Sequence, residues 1–467
     1  MSNVTGTTRY DPRSARYLCF AQACREFAGG GDSPRAFLER CIEEIDRREK
    51  DVRAFVCLDL DGARKAADAA TERWRAGRQR SAVDGLPVGI KDCFDVRGFP
   101  TRVNSAYFAD ARNAEVDAAH VDALRRGGAV IVGKTVTTEL TMAAPGPTWN
   151  PWDLTRTPGG SSSGSAAAVA ACMLPLATGS QVRGSVIRPA SICGVIGMKP
   201  TFGALNRFGG VDPSPSVNHL GLLGGTLADV WIVAHHIAAV AGGDPGCVPH
   251  FDRALLPPPR RPLRLARQYT AGWQHTDEAS KAAFEAFLRT LADAGVEVVE
   301  PGASAALHEY EQATSSVPEW FFDLMLWEIR WPMLAWRDER PGAFSETMRG
   351  YIDKAEQLGL EDYRRACVAR ERLRMQHRAL AGKVDGFATL AHIGPGQKGQ
   401  PKTGTPWYND ASSAIGAPSY NLPLLSVAGV PLGVQIVGFE NADEDLAAIA
   451  GWLLATAASP TIGTSRA

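Results

Sequence analysis

A run of glycine and serine leads straight into a run of small apolar residues in the first half of the chain. Positions 157–165 are Thr-Pro-Gly-Gly-Ser-Ser-Ser-Gly-Ser, and positions 166–174 are Ala-Ala-Ala-Val-Ala-Ala-Cys-Met-Leu. The segment from Ser163 to Met173 predicts a helix with almost no polar face, and such a helix must be buried. A chain of 467 residues, 45% of them hydrophobic, can supply the core around it.

A second turn of small residues follows at positions 179–190, Gly-Ser-Gln-Val-Arg-Gly-Ser-Val-Ile-Arg-Pro-Ala. Two serine-bearing turns around one small-residue helix can present hydroxyl and backbone N–H groups to a common point. Such a point suits nucleophilic attack on a carbonyl group, which needs an activated nucleophile and donors for the developing oxyanion.

Charge and composition exclude several classes of protein. The formal net charge is −1 and the basic residues are scattered, so no basic stripe can neutralise nucleic-acid phosphates. No apolar run approaches the roughly 18 residues of a membrane span. Positions 1–9 lack the apolar core of a secretory signal, and nine dispersed cysteines are typical of buried thiols in a reducing compartment, so we expect a cytoplasmic protein. The nine histidines are also dispersed, and we expect neither a metal ion nor a cofactor.

Alternating strand and helix patterns predict an α/β fold, with one mixed sheet covered by helices on both faces. Strands are predicted at 86–90, 129–132, 195–200, 263–266, 296–299, 386–390 and 431–437. Helices are predicted at 61–75, 116–127, 163–173, 226–240, 277–295 and 443–458, across most of 305–380, and from a Ser33 cap and Pro34 onward. The proline-rich segment 256–262 is interpreted as a surface connection within one domain.

Two short motifs offer competing interpretations. Positions 128–135 match the phosphate-loop pattern G-x-x-x-x-G-K-[ST], but the intervening Ala-Val-Ile-Val favours a strand over a loop around an anion. Positions 160–164 match the nucleophile elbow G-x-S-x-G with Ser162 at its centre. That motif needs a hydrophobic strand before it, whereas positions 150–158 contain two prolines and are typical of a loop.

Several segments, in order along the chain, resemble the motifs of the amidase signature family, the Ser–cis-Ser–Lys amidohydrolases. The glycine- and serine-rich signature is matched at 159–166, the nucleophile segment at 184–190, 193–194 and 197–201, and the lysine motif Gly-Leu-Pro-Val-Gly-Ile-Lys-Asp at 85–92. Connecting motifs are matched at 129–135 and 150–153, and a C-terminal strand at 431–438. The flanking helices extend the resemblance over nearly the whole chain.

The resemblance implies that Ser185 is the nucleophile, Ser161 the bridging serine and Lys91 the base, with a cis peptide between Gly160 and Ser161. An ammonium group cannot accept a proton, so Lys91 must be held neutral by burial and by the absence of a close carboxylate. Asp92 is its sequence neighbour, but on a strand it points to the opposite face. Neutral Lys91 then draws a proton from Ser161, which draws one from Ser185 and later returns it to the leaving amine.

The resemblance also implies an oxyanion hole made by backbone N–H groups of Val182, Arg183 and Gly184, together with Ser185 itself. The family usually has Thr-Gly-Gly-Ser at these positions. If position 183 needs positive φ, an arginine there is strained by roughly 1–2 kcal/mol. Arg183 either pairs with an anionic group of the substrate or points outward on a backbone that tolerates it. Weakened or altered catalysis is a third interpretation.

Four side chains are candidates for substrate binding: Met142, Arg183, Arg188 and Trp320. Arg188 matches a family arginine that meets a substrate carboxylate in some members and is structural in more. Trp320 belongs to an aromatic set on a helix that Pro332 is expected to break, with Phe321, Phe322, Trp327, Trp331 and Trp336. Helix packing is the simpler interpretation of this set, and a hydrophobic wall for the substrate is the alternative.

The sequence therefore predicts a single-domain amidohydrolase, residues 1–467, that cleaves a carboxamide C–N bond of a small molecule, with no nucleic-acid or membrane partner. Its regions are N-terminal helices (about 14–80), a catalytic core (about 81–245), a helical substrate-side region (about 305–380), and C-terminal strands and a helix (about 384–458). A homodimer stays open.

Two other functions stay open. The glutamine-hydrolysing subunit of a tRNA-dependent amidotransferase shares the core but typically carries Ser-Thr-Glu-Asn-Ser before its Asn-Pro-Trp-Asp motif. Positions 140–149 here are Leu-Thr-Met-Ala-Ala-Pro-Gly-Pro-Thr-Trp, which favours a stand-alone hydrolase. The atypical Arg183 motivates the second alternative, a non-catalytic binding protein that retains the fold.

Overall fold

The computed structural model describes residues 9–458. The segment for which the sequence predicts no secretory signal lies almost entirely outside these residues, so that prediction is not tested. No helix within the described range is long and apolar enough to cross a membrane.

Fourteen α-helices and eleven β-strands alternate along the described chain. The strands are β1 (Phe55–Leu58), β2 (Pro87–Lys91), β3 (Val130–Thr135), β4 (Leu176–Gln181), β5 (Ile196–Lys199), β6 (His219–Gly224), β7 (Arg264–Arg267), β8 (Glu297–Val299), β9 (Gly386–Leu390), β10 (Ser419–Val427) and β11 (Val430–Val437). The helices are α1 (Phe20–Ala28), α2 (Pro34–Val52), α3 (Leu60–Arg75), α4 (Ala119–Arg126), α5 (Ser163–Ala170), α6 (Ile187–Cys193), α7 (Leu227–Ala241), α8 (Glu278–Asp293), α9 (Ala305–Ser315), α10 (Val317–Glu339), α11 (Glu346–Gln357), α12 (Leu360–Arg378), α13 (Asp410–Ile415) and α14 (Asp443–Ala458).

The strands form one sheet in the order β1-β3-β2-β4-β6-β5-β10-β11-β9-β7-β8. The pairs β2–β3, β2–β4, β7–β8 and β7–β9 are parallel, and the remaining neighbours are antiparallel. The predicted α/β class with a mixed sheet is therefore confirmed.

Alternating residues of β3 show that helices cover both faces of the sheet. Val130 and Val132 lie in a buried cluster with residues of α2, α3 and α5. Ile131, between them, lies in a different cluster with residues of α4 and α7. Because successive side chains of a strand point to opposite faces, these two helix groups must lie on opposite sides of the sheet.

The small-residue helix α5 is buried along its whole length, as its composition predicts. At Gly164 the neighbouring backbone comes so close that an added Cβ would lie 2.1 Å from the carbonyl oxygen of Ala54 and 2.4 Å from the nitrogen of Val136. Only glycine fits there. The helix ends at Ala170, three residues before the predicted end.

The predicted helix starts and the predicted break in α10 are confirmed. The Ser33 side chain accepts from the Ala36 N–H and caps α2. The α10 backbone leaves the helical region at Trp331, with φ −108° and ψ 128°, immediately before Pro332. The helix predicted at 116–127 is shorter, Ala119–Arg126.

Four strands were not predicted: β1, β4, β6 and β10. The strand β4 reads Leu-Ala-Thr-Gly-Ser-Gln, whose small and polar residues have little preference for strands, yet it is buried between β2 and β6. Tertiary pairing outweighs local propensity here. The segment interpreted as one long turn at 179–190 therefore comprises the end of β4, a short turn and the start of α6.

Both competing motif interpretations are wrong. Positions 130–135 of the phosphate-loop match form the buried strand β3 instead of a loop. Ser162 of the elbow match is fully buried and follows a segment with no strand. All nine cysteines are free thiols, but only Cys41, Cys93 and Cys193 are fully buried, so the expectation of buried thiols is met in part.

Candidate active site

Lys91 ends strand β2, which lies inside the sheet between β3 and β4, and its side-chain nitrogen is completely buried. Its Nζ is 2.7 Å from Ser161 Oγ, 2.9 Å from Ser180 Oγ and 3.3 Å from the Ser180 carbonyl oxygen. Burial lowers the pKa of Lys91 to about 8, and the charge of Arg188 acts in the same direction. The strand thus delivers an amine that loses its proton readily, within hydrogen-bond distance of a serine hydroxyl.

The neighbouring carboxylate of Asp92 is directed elsewhere, as the strand geometry predicts. Asp92 Oδ1 lies 2.9 Å from Nζ of Lys134, and both side chains are fully buried. Lys134 belongs to the adjacent strand β3. The buried negative charge therefore has its own cation, and Lys91 is left with hydroxyl and carbonyl neighbours.

Ser161 lies in the turn that leads into α5, and the Gly160–Ser161 peptide is cis, as the resemblance implies. The next residue ties this turn to the second one, because the Ser162 N–H donates to the Ser185 carbonyl at 3.1 Å. Among residues 9–458 no hydrogen bond joins the hydroxyls of Ser161 and Ser185. The first link of the predicted relay is preformed, and the second is not.

Ser185 lies in the turn between β4 and α6, and the side chain of Gln181 holds this turn in shape. Gln181 Oε1 accepts from the N–H groups of Val186 at 2.7 Å and Ile187 at 2.9 Å, and its Nε2 donates to Ser413 Oγ at 3.0 Å. Gln181 is the last residue of β4, so the strand end sets the path of the turn.

The four predicted oxyanion donors, the N–H groups of residues 182–185, have no acceptor within the described part of the chain. Such unpaired N–H groups beside a nucleophile can bind a developing negative charge. At Gly184 an added Cβ would lie 2.5 Å from Oδ1 of Asn409, so a larger residue would have to displace that buried side chain.

Arg183 does not have positive φ, so the strain considered for an arginine at this position does not arise. Its guanidinium forms a two-point ion pair with the buried carboxylate of Asp410, with Nε–Oδ1 at 2.8 Å and Nη2–Oδ2 at 2.5 Å. It also lies 5.4 Å from the ring centre of Phe322. The alternative in which Arg183 simply points outward is therefore wrong.

A cavity of about 390 Å³ opens onto Ser185. Its lining comprises Met142, Ala143, Ala144, Pro145, Arg183, Ser185, Arg188, Phe322, Met325, Thr347, Tyr351, Pro401, Lys402, Thr403, Gly404 and Pro406. The nucleophile candidate is thus reached from a partly apolar cavity, while Lys91 lies behind it and away from solvent.

The family model described as Amidase matches residues 36–447. The chain belongs to the amidase family. It is 37% identical over 235 residues to a glutamyl-tRNA(Gln) amidotransferase subunit of Chloroflexus aggregans (strain MD-66 / DSM 9485), covering 49% of this chain and 47% of that protein. It is 33% identical over 464 residues to the protein of the same name from Roseiflexus castenholzii (strain DSM 13941 / HLO8), covering 92% of this chain and 94% of that one. It therefore spans about half of the first relative and nearly all of the second.

The fold agrees with this family assignment. A solved structure described as the crystal structure of an amidase superposes with a TM-score of 0.82 at 29% identity, covering 94% of this chain and 99% of that one. The amidase fold of this protein is therefore close to that of a solved amidase over nearly its full length.

Arg188 in this amidase chain is bound to backbone rather than left free. Its Nε and Nη2 donate to the Gly160 carbonyl at 2.8 and 2.6 Å, and its Nη1 donates to the Gly404 carbonyl at 2.8 Å. Burial lowers the pKa of Arg188 to about 10, so it stays charged at neutral pH. It lines the cavity while fastening the Gly160 turn to the segment around Gly404.

The structure divides the other two substrate-binding candidates. Met142 lines the cavity. Trp320 does not: it lines a separate surface groove between α9 and α12. The aromatic helix α10 contacts the cavity instead through Phe322 and Met325, which share a face because they are three residues apart.

Three residues of the candidate site were missed by sequence reasoning: Ser180, Gln181 and Asp410. Ser180 and Gln181 stand in the second turn segment but carry no motif that separates them from neighbouring small residues. Asp410 is 227 positions from Arg183, and no pattern of spacing predicts that contact. No group of three or more His, Cys, Asp or Glu side chains in residues 9–458 is arranged to hold a metal ion.

Proposed function

We propose that this protein is an amidohydrolase that cleaves a carboxamide C–N bond through an acyl-enzyme on Ser185, with Ser161 and Lys91 as its proton relay. The observation that carries the proposal is the buried amine of Lys91, whose Nζ lies 2.7 Å from Ser161 Oγ and pairs with no carboxylate within residues 9–458. An amine in that setting is a base at neutral to mildly alkaline pH.

In the first step Ser185 Oγ attacks the carbonyl carbon of the substrate. Its proton passes to Ser161, and the Ser161 proton passes to neutral Lys91, so the relay moves one proton inward without exposing a charge to water. Because no hydrogen bond joins the two hydroxyls within residues 9–458, the Ser161 and Ser185 side chains must first come into hydrogen-bond contact. The carbonyl oxygen becomes negative and binds the free N–H groups of residues 182–185.

In the second step the tetrahedral intermediate collapses and the C–N bond breaks. The proton held on Lys91 returns through Ser161 to the leaving nitrogen, which departs as a neutral amine or ammonia. Water then attacks the acyl carbonyl carbon while the relay takes one of its protons. The acyl–oxygen bond to Ser185 breaks, the relay returns that proton to Ser185 Oγ, and the acid is released.

The proposed substrate is a small-molecule amide. We propose that one domain comprising the whole chain binds and hydrolyses it, and that the protein acts in the cytoplasm. The cavity volume of about 390 Å³ suits a substrate of modest size. A homodimer stays compatible with these features.

The test is the release of para-nitroaniline from a panel of para-nitroanilides by the wild type and Ser185→Ala. We expect a burst followed by turnover in the wild type, and loss of about three orders of magnitude or more in Ser185→Ala. Ser163→Ala is the matched control, since the Ser163 hydroxyl makes only a 3.4 Å contact with a backbone carbonyl. No turnover of any amide, with ligand binding intact, would support the non-catalytic alternative instead.

A second candidate function is glutamine hydrolysis as one component of an amidotransferase complex. It is motivated by the 33% identity to a glutamyl-tRNA(Gln) amidotransferase subunit over 92% of the chain. We expect ammonia release from simple amides by the isolated protein and little from glutamine. The reverse result, glutamine hydrolysis that needs partner subunits, would favour the second candidate.

A further inference from the structure

The cavity at Ser185 carries positive charge that no lining group balances. Among the described residues, three basic side chains line it, those of Arg183, Arg188 and Lys402, and no Asp or Glu does. One carboxylate, that of Asp410, lies behind Arg183 and is fully buried. Even with Asp410 ionised, the three cations exceed the one anion, and an uncompensated charge beside a cavity favours a ligand of opposite sign.

Arg183 offers a free edge toward this cavity. Asp410 takes its Nε and Nη2, whereas Nη1 donates to no group within the described residues. The Arg183 side chain is 18% exposed and the Asp410 side chain 0%, so the bound edge faces the interior and the remaining part of the guanidinium faces the cavity. The ion pair and the Phe322 ring hold the guanidinium in place.

The other two cations play different parts. The Nε, Nη1 and Nη2 groups of Arg188 already donate to the carbonyls of Gly160 and Gly404. Arg188 therefore contributes positive charge to the cavity more than free hydrogen-bond donors. Lys402 is exposed and forms no hydrogen bond or ion pair within residues 9–458. A substrate anion would therefore meet Lys402 on the exposed side of the cavity and a pre-positioned Arg183 deeper inside.

We propose that the substrates are amides that carry a carboxylate, which binds Nη1 of Arg183 while the intervening carbons lie against Met142, Phe322 and Met325. A guanidinium whose orientation is already fixed by Asp410 loses little freedom on binding, which strengthens such a charge-assisted hydrogen bond. The inference rests on the proposed amidohydrolase function and adds the chemical class of its substrate.

The test compares kcat/KM within two pairs of anilides. In each pair one anilide carries a carboxylate, and the other carries an uncharged methyl ketone of the same shape in its place. One pair has the group on the acyl side, glutaryl para-nitroanilide and its ketone. The other has it on the amine side, the butyryl amides of para-aminobenzoate and of para-aminoacetophenone. We expect at least a tenfold higher kcat/KM for the carboxylate in at least one pair. The pair that shows it identifies the side.

The preference should disappear in the double variant Arg183→Met/Asp410→Asn, which removes both charges and so leaves no unpaired buried carboxylate. The readout is the ratio of kcat/KM between the carboxylate anilide and the ketone anilide within each pair, which should fall to about one whatever the absolute rate of the variant. Lys354→Met is the matched control: Lys354 also lies over the Phe322 ring, at 4.8 Å, but outside the cavity lining. It should keep the preference.

Binding to Ser185→Ala, measured by calorimetry with the same four compounds, separates this inference from the proposed function. Tighter binding of a carboxylate, lost in the added double substitution, supports the inference even if no compound is turned over. Equal binding and equal turnover within both pairs would overturn the carboxylate inference. Hydrolysis of the amide bond in the ketone-bearing anilides would still support an amidohydrolase. Binding preference retained in the double variant overturns the role of Arg183.

Discussion

At the scale of single residues, the protonation of Lys91 decides whether the proposed relay can run. A lysine in water carries a proton at neutral pH and cannot act as a base. Burial destabilises the charged form, which is why the pKa of Lys91 falls to about 8. The three oxygen neighbours of its Nζ are a hydroxyl of Ser161 and two groups of Ser180, none of them charged.

This protonation predicts a specific pH dependence of kcat/KM. Because Lys91 must be neutral to accept a proton, activity should fall about tenfold per pH unit below a pH of about 8 and level off above it. The measurement is a profile of kcat/KM for an uncharged anilide. Lys91→Met should abolish nearly all turnover and the pH dependence with it. A wild-type profile that is flat through this range would contradict the proposed role.

The buried pair of Asp92 and Lys134 predicts an effect on stability. Removing one partner leaves the other charge buried and unpaired, so Lys134→Met should lower the free energy of unfolding by about 3–5 kcal/mol. The double variant Asp92→Asn/Lys134→Met should recover most of that loss. Urea unfolding measures both. Equal losses in the single and the double variant would show that packing, and not charge, is responsible.

At the scale of elements, α5 shows how close packing places the Ser161 turn. Its residues at 163–170 are buried, and its contacts reach β2, β3, β4 and β6. A helix of larger side chains could not lie so close to the sheet, and the turn before it would move away from Lys91. The small residues are therefore a requirement of the site as well as of the fold.

Gly164→Ala tests this packing directly. The added Cβ would lie 2.1 Å from a backbone oxygen, so the helix must shift, and we expect a loss of about 1–3 kcal/mol together with reduced kcat. Gly350→Ala is the matched control: nothing lies within 4 Å of its Cβ position in α11, and alanine should stabilise that helix slightly. Similar unfolding midpoints for the two variants would contradict the packing argument.

At the scale of the whole molecule, the sheet joins the two halves of the chain at one strand pair, with β1 to β6 on one side and β7 to β11 on the other. The strand β5, from the first half, pairs with β10, and β10 pairs with β11. The second turn is likewise bound by the second half, through Ser413 to Gln181 and Asp410 to Arg183. Neither half can complete its sheet or its site without the other.

This joining of the two halves through β5 and β10 predicts that the chain behaves as one domain. A fragment comprising residues 9–260 would leave β5 without its β10 partner and much buried apolar surface exposed. We expect it to be unfolded or aggregated, as judged by circular dichroism and by dispersion of its NMR spectrum. A monomeric, folded fragment would contradict the single-domain prediction. If the fragment is unfolded, adding the fragment of residues 261–458 supplies β10, and recovery of the β-sheet signal in circular dichroism measures whether the two halves fold together.

Much of this molecule can be predicted from the order of its residues, because the signals are local. The apolar runs at 86–90 and 129–132, the Ser33 cap and the break at Pro332 depend only on near neighbours in sequence. Strands such as β4, whose sequence favours no strand, exist because their neighbours supply pairing and burial. A sequence window contains no information about those neighbours.

The same division holds at the candidate site. The sequence by itself determined which lysine and serines to consider, since motifs in order along the chain carry them. Only the tertiary structure decided that Arg183 pairs with Asp410, that Phe322 and Met325 rather than Trp320 line the cavity, and that Ser180 lies beside Lys91. These are contacts between segments far apart in sequence, and the energy of burial and charge pairing that selects them exists only once the chain has closed around them.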